Sequence, residues 1–461
     1  MENSNLKKVN KFNPIYYTHN IRDWWNYMTS TFGFNSLFIL AMVYWSQGLR
    51  QFGVLASTLY YMDDLKLDPA TAQIIRTFTF TAWYIKPVYG MFSDNIPIFG
   101  YRRIAYMILA SLLGISAYLS ILFTANLYWV VFALILGEFG QAISDVIADA
   151  IMVEESRKDP VGGSGSLQSF CWITLSFGGF LGSILGGLCL SYLNPKYVIA
   201  SQAICPFLCL LVSVRLDEEP VSDPISFQAI SSRMCILWDA CRKPSIYKPL
   251  IFIFLSNALS PSFYELMLYF MKNELGFSPM LLSTLNIVGY ITLGFGGFAY
   301  NRFFKLWSFP KILGTGQVLS CICGIFDILF VLKAYEYIHF SAVAFAVSGD
   351  TLSGIISFTF KSMPLMVLSG KLCPEGVEAT LFALFASISN FSYAVSIFFG
   401  GMLTQWFRIS ATNFDLIWIL MAIRALTKLL PLPFLGLLPQ EETKNEDEII
   451  ELEVLDEPFT V

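Results

Sequence analysis

The amino-acid sequence predicts an all-α polytopic membrane protein with twelve transmembrane helices in two six-helix bundles. Three observations carry that prediction. Of the 461 residues, 55% are hydrophobic and only 14% charged, against about 25% charged in soluble domains. Apolar windows longer than about 18 residues recur along the chain, each able to cross a hydrocarbon core roughly 30 Å thick. Lys and Arg gather in alternate loops, the pattern that sets membrane topology.

Taken in order, spans are expected at 35–62, 72–93, 103–124, 127–153, 166–192 and 196–214, then at 247–271, 280–300, 310–332, 338–368, 377–406 and 414–438. Residues 1–34 are polar and lack a short apolar stretch followed by a small-residue cleavage site, so the first span is expected to serve as its own insertion signal. Residues 215–246 contain Pro220, Pro224 and Pro244 and little periodicity, which suits a linker between two bundles at 35–214 and 247–438. Residues 439–461 form an acidic tail, with nine acids and one lysine from Glu441 onward. Such a composition solvates rather than packs.

Most loop cations lie on the face that carries both termini. The opposite face holds Lys66, Lys196, Lys272, Lys333 and Arg408. Both termini are therefore expected in the cytoplasm, which needs an even number of spans; the sequence leaves plasma membrane and organelle membrane undecided. A faint repeat supports duplication: a shift of 206 lays Tyr84, Ile85 and Gly90 on Tyr290, Ile291 and Gly296. A shift of 214 lays Pro160, Leu167, Gly186 and Gly187 on Pro374, Leu381, Gly400 and Gly401.

Several chemistries are not encoded. The histidines are His19 and His339, and no HExxH stretch or GxxxxGK[ST] loop occurs, so neither a metal site nor an ATP site is expected. No cofactor and no nucleic-acid partner is expected either. The nine cysteines, among them Cys205, Cys209, Cys321 and Cys323, fall mostly in apolar runs and read as small buried side chains.

The informative residues are charges inside spans: Arg50, Lys86, Lys361, Arg424 and Lys428, with Arg76 at a span edge. Lys428 is near a helix end and can snorkel. The others cost about 2.5–3.5 kcal/mol each at mid-membrane, so they must face a polar interior or a partner. Acids answer them. Glu138, Asp145 and Asp149 in the fourth span are seven and four residues apart, which places them on one face of a helix. Glu265 follows Pro261 in the seventh span. Asp350 and Lys361 in the tenth are roughly three helical turns apart and are expected to share a face. In a two-bundle fold built from helix triplets, spans one, four, seven and ten are equivalent and line the centre. Lys86 lies roughly 12 Å deeper than Asp94 along its helix, and is expected to enter the cavity or pair with an acid.

The stretch KPVYGMFSDNIPIFGYRR, residues 86–103, resembles the loop between helices two and three of the folate–biopterin transporter family, a branch of the major facilitator superfamily. SDVIADAIMVEESR, which contains Asp149, resembles that family's fourth helix. PEGVEATLFALFASISN, residues 374–390, resembles the start of its eleventh and carries Glu378. The resemblance implies a major facilitator fold and secondary active transport of folates, pterins or a related anionic heterocycle. Protons are the expected coupling ion, and the protein is expected to work as a monomer in the lipid bilayer. Substrate binding or coupling is assigned to Arg50, Lys86, Glu138, Asp145, Asp149, Glu265, Asp350, Lys361 and Arg424. Gating is assigned to Gly90, Asp94, Arg102, Arg103 and Glu378: Gly90 for close helix approach, Asp94 at a neighbouring helix N-terminus, and the arginines on Glu154 and Glu155. The second half lacks the acid, since Tyr300 stands where Asp94 stands in the first. A competing class is a polytopic membrane enzyme or lipid-handling protein that uses the intramembrane acids for proton transfer.

Overall fold

The computed structural model describes residues 14–159, 163–220, 235, 238–239, 241–372 and 378–439. Much of the 215–246 linker and all of the acidic tail from 440 onward lie outside the described residues. The described chain is helical, and its extended pairing is one isolated bridge between Ile98 and Tyr101. Among these residues nine helices are long and apolar enough to cross a membrane: Ile104–Phe123, Leu127–Ser156, Ser166–Tyr192, Pro195–Ser213, Pro279–Phe304, Phe309–Val331, Ala342–Ser369, Ala383–Trp406 and Ile417–Leu437. The remaining expected spans, the first, second and seventh, are helical but interrupted. They run as Phe34–Leu49 with Gln51–Asp63, as Pro69–Thr79 with Thr81–Tyr84 and Lys86–Asn95, and as Pro244–Ala258 with Tyr264–Tyr269.

Each interruption has a local cause. Arg50 divides the first span, and its carbonyl accepts the Gly53 amide at 3.0 Å in a tightened turn. In the second, Pro87 has no amide proton to continue the ladder, and a new helix starts at Lys86. In the seventh, Pro261 opens residues 259–263. Irregular backbone at membrane depth must find partners inside the protein, and here it does. The Ser262 amide donates to the Ser396 carbonyl at 3.0 Å, the Ser396 hydroxyl donates to the Ser260 carbonyl at 2.5 Å, and Gln73 Nε2 donates to the Ser262 carbonyl at 2.5 Å.

The polar N-terminal segment contains structure that composition did not reveal. Pro14–Phe32 is a helix. Met28 and Phe32 are buried, and the Tyr27 hydroxyl donates to Asp159.

Helices cross where side chains are absent. Gly48, Gly178 and Gly182 let the Phe34–Leu49 helix meet Gly163–Tyr192 backbone to backbone, since a Cβ on any of them would overlap a main-chain carbonyl across the crossing. Gly90, expected at such an approach, faces Val146 at 3.6 Å, an ordinary contact. That expectation is corrected: a methyl group fits there.

The apolar core is distributed unevenly between the two ends of the molecule. At the end bearing residues 63–68, one cluster runs across both halves of the chain and includes Leu59, Tyr60, Leu266, Phe270, Phe330 and Phe414. At the end bearing residues 96–103 there are two clusters. One belongs to the first half, around Met28, Leu40, Met107 and Ile151. The other belongs to the second half, around Ile253, Phe309, Leu365 and Leu381. The apolar core is continuous across the halves at one end and divided between them at the other.

Gly400 is a direct check on this packing. A Cβ there would overlap the Ser262 carbonyl and Gln73, whereas Gly294 has nothing within 4 Å. Gly400→Ala should lower the apparent midpoint of thermal unfolding by an amount corresponding to about 1–3 kcal/mol, and Gly294→Ala should leave it unchanged or raised. Melting curves of the purified variants in detergent measure both.

Candidate functional site

Between the parted ends lies a cavity of about 480 Å³, within the range of small-molecule sites. Its first-half wall carries Tyr44, Gln47, Arg50, Trp83, Lys86, Asp145 and Asp149. Its second-half wall carries Asn257, Tyr290, Lys361, Ser389 and Asn390. The fourth-span helix Leu127–Ser156 presents its three acids in sequence toward the first two spans. Glu138 Oε2 receives Arg50 Nη1 at 2.6 Å and Trp83 Nε1 at 2.5 Å. Asp145 receives Gln47 Nε2 at 2.7 Å and is ion-paired with Lys86. Asp149 accepts from the Tyr44 hydroxyl and lies 3.9 Å from Lys86 Nζ.

Trp83 stands at the centre of this wall. The Arg50 guanidinium lies 4.9 Å from its ring centroid on one side, and Lys86 Nζ lies 5.0 Å from it. Its carbonyl accepts Asn390 Nδ2 from the opposite half at 3.2 Å. Phe80 stacks on Trp83 at 6.2 Å and meets Tyr393 edge-on at 6.0 Å. Phe80 and Trp83 floor the cavity.

Beyond the floor the halves are locked by polar bonds. Arg76 Nη1 donates to Glu265 Oε1 at 2.9 Å, and the Thr58 hydroxyl donates to Glu265 Oε2 at 2.6 Å. The Arg76 guanidinium also lies 5.0 Å from the Tyr264 ring. Glu265 is 1% exposed. Nearer the surface, Lys272 pairs with Asp63, and the Tyr269 hydroxyl donates to the Leu67 carbonyl at 2.8 Å. The cavity is thus closed toward the 63–68 end and lined toward the 96–103 end by residues such as Met152 and Ser369.

Several expectations are corrected by these contacts. Arg76 is no span-edge charge: it neutralises Glu265, so Glu265 belongs to the seal rather than to the cavity wall. Asp350 and Lys361 do not share a pocket. The helix Ala342–Ser357 passes into a π turn over Phe358–Ser362, and the wider turn breaks the α spacing between them. Lys361 lines the main cavity, while Asp350 lines a separate one of about 270 Å³ in the second half with Asp327 and Arg424. Arg424 Nη1 reaches Asp327 Oδ2 at 3.3 Å.

At the 96–103 end, Arg103 Nη2 donates to Glu154 Oε1 at 2.8 Å. Glu155 is paired with Lys158 at 2.7 Å instead of an arginine. The main-chain amides of Arg102 and Arg103 are held by Glu218 at 2.6 Å and 3.0 Å. All of these groups lie in the first half or its linker, so none of these bonds joins the halves here. The side chains of Asp94 and Glu378 lie outside the described residues. Sequence reasoning missed Tyr44, Gln47, Trp83, Asp327 and Glu218 as partners. Only Trp83 left a signal, three residues before Lys86 on the same span.

The interrupted all-helical membrane fold around a central cavity is the major facilitator fold. A crystal structure of a D-xylose–proton symporter shares the fold, with a TM-score of 0.62 at 16% identity over 91% of this chain and 99% of that one. Residues 47–454 match the BT1 family, and the chain belongs to it. It is 33% identical over 423 residues to the folate-biopterin transporter of Synechocystis sp., covering 89% of this chain and 84% of the relative. It is 28% identical over 394 residues to folate transporter 1 of Plasmodium falciparum, covering 84% and 77%. The protein is a multi-pass membrane transporter and not an enzyme.

The Arg50–Glu138 pair offers a clean test of the wall, because both side chains are largely buried, at 18% and 15% exposed. Removing one partner strands the other. Glu138→Gln should cost about 3 kcal/mol and lower the unfolding midpoint, and the double variant Arg50→Gln with Glu138→Gln should recover part of that loss. A double-mutant cycle in thermal unfolding measures the coupling.

Proposed function

We propose that the protein is a secondary active transporter of folates, pterins or a related anionic heterocycle, driven by protons and working by alternating access. The observation that carries this reading is the cavity wall itself, where Lys86, Asp145 and Asp149 interlock beside Trp83. A pterin ring stacks on an aromatic face and offers adjacent N–H donors to a carboxylate, and the glutamate carboxylates of a folate suit a cation. The names of the two relatives point to the same solutes.

In this reading the termini are cytoplasmic and the 96–103 end faces the cytoplasm, so the structure corresponds to the inward-facing state. The bundles 35–214 and 247–438, joined by 215–246, rock about the cavity within one monomer. Opening the far side requires breaking Arg76–Glu265 and Asp63–Lys272. Closing the near side brings Asp94, Arg102, Arg103 and Glu378 toward the opposite half, with Gly90 on the moving helix. Glu265 is the carboxylate best placed to exchange its cation for a proton, since Arg76 comes from the other half. A carboxyl group that is protonated when the far side opens ties transport to the proton gradient.

Two outcomes follow for proteoliposomes loaded with nothing and offered radiolabelled folic acid. Lys86→Ala should cut initial uptake at least about tenfold, because the wall loses the cation that orders both acids, equivalent to about 1.4 kcal/mol or more. Lys86→Arg should retain part of the activity, and normal uptake by the alanine variant removes Lys86 from the mechanism. Wild-type uptake should rise when the outside is made more acidic than the inside, and collapse when a protonophore is added. Uptake indifferent to both treatments means facilitated diffusion or another ion.

A further inference from the structure

Lys361 is where the break in the seventh span and the π turn in the tenth converge. The Pro244–Ala258 helix ends ahead of Pro261, and the Ser260 amide turns back to the Asn257 carbonyl at 3.2 Å. That tightened turn leaves the Ser256 carbonyl to accept Lys361 Nζ at 2.9 Å. The π turn Phe358–Ser362 sets the same side chain in the wall of the main cavity. Its partner is therefore neutral. Arg50, Arg76 and Lys86 each have a carboxylate, whereas Lys361 has none among the described residues.

The opposite wall is complementary. Asp145 is enclosed, with 5% of its side chain exposed, while Asp149 keeps 38% of its side chain open. The cavity thus offers one accessible carboxylate on the first half and, on the second, a lysine with no carboxylate partner among the described residues.

We infer that Lys361 is the carboxylate receptor of the site and sets which solutes of the class are held tightly. This inference rests on the folate–pterin reading above. A solute with a carboxylate-bearing tail lays its ring donors on Asp149 and its tail on Lys361, and so spans both halves of the carrier. A pterin without a carboxylate engages the first-half wall only.

Equilibrium binding to the purified full-length protein tests this with two probes that share a ring: folic acid, which carries two glutamate carboxylates, and biopterin, which carries none. Lys361→Gln should weaken folic acid about tenfold or more, the loss of one charge-assisted bond, and leave biopterin within about twofold. Lys361→Arg should keep folic acid close to wild type, which shows that charge and not the lysine stem is read. Folic acid binding that survives Lys361→Gln overturns the assignment, as does an equal fall for both probes. Wild-type protein that binds neither probe overturns the folate–pterin reading itself.

Discussion

A charge inside a membrane protein is tolerated only where another group answers it, and in this carrier the answer often comes from a different helix. Arg50 and Trp83 converge on Glu138, Lys86 and Gln47 on Asp145, Arg76 and Thr58 on Glu265. The first two sets lie within the first half and make it a rigid wall. The third joins the halves and makes a seal. Charge neutralisation therefore does two separate jobs, ordering the cavity wall in one place and joining the halves in the other. Glu265 is the deepest buried of these acids and takes its cation from the other half. In the proposed cycle that cation leaves when the far side opens, and a proton removes the cost of stranding the carboxylate.

Helix interruptions follow from the same constraint. The first, second and seventh spans are broken at Arg50, around Ile85 and at 259–263, and each break lies beside buried polar groups. A continuous helix consumes its own carbonyls and amides. A broken one releases a few, and these then bind across the molecule: Ser262 to Ser396, Gln73 to Ser262, Lys361 to Ser256. The closely packed glycines at 48, 178 and 182 allow the rest of the bundle to stay regular while these segments do not.

Much of this was legible in the sequence. Hydropathy located nine long apolar helices among the described residues, because lipid demands long apolar runs. The motif around residues 86–103 identified the family, because it holds several special residues in fixed order. Intramembrane charges stood out because each is costly. Partnership was harder. Arg76 looked like an interfacial residue by its distance from the helix start, and only the crossing of the second and seventh spans brings it to Glu265. The Asp350–Lys361 spacing assumed a uniform 3.6-residue turn, and the π turn at 358–362 leaves no mark in composition. Gly90 looked like a contact residue, but the tight crossings lie elsewhere. Pairing depends on how helices are rotated against one another, which one-dimensional periodicity does not encode.

Alternating access requires the fused 63–68 end to part for transport once access from the 96–103 end has closed. Asp63 and Lys272 face each other across that seal. Replacing both with cysteine, in a background without reactive native thiols, allows the two halves to be joined by a short bifunctional thiol reagent. The account predicts that the cross-linked carrier binds solute but moves none, and that cleaving the link restores uptake. Undiminished uptake with the link intact would contradict it.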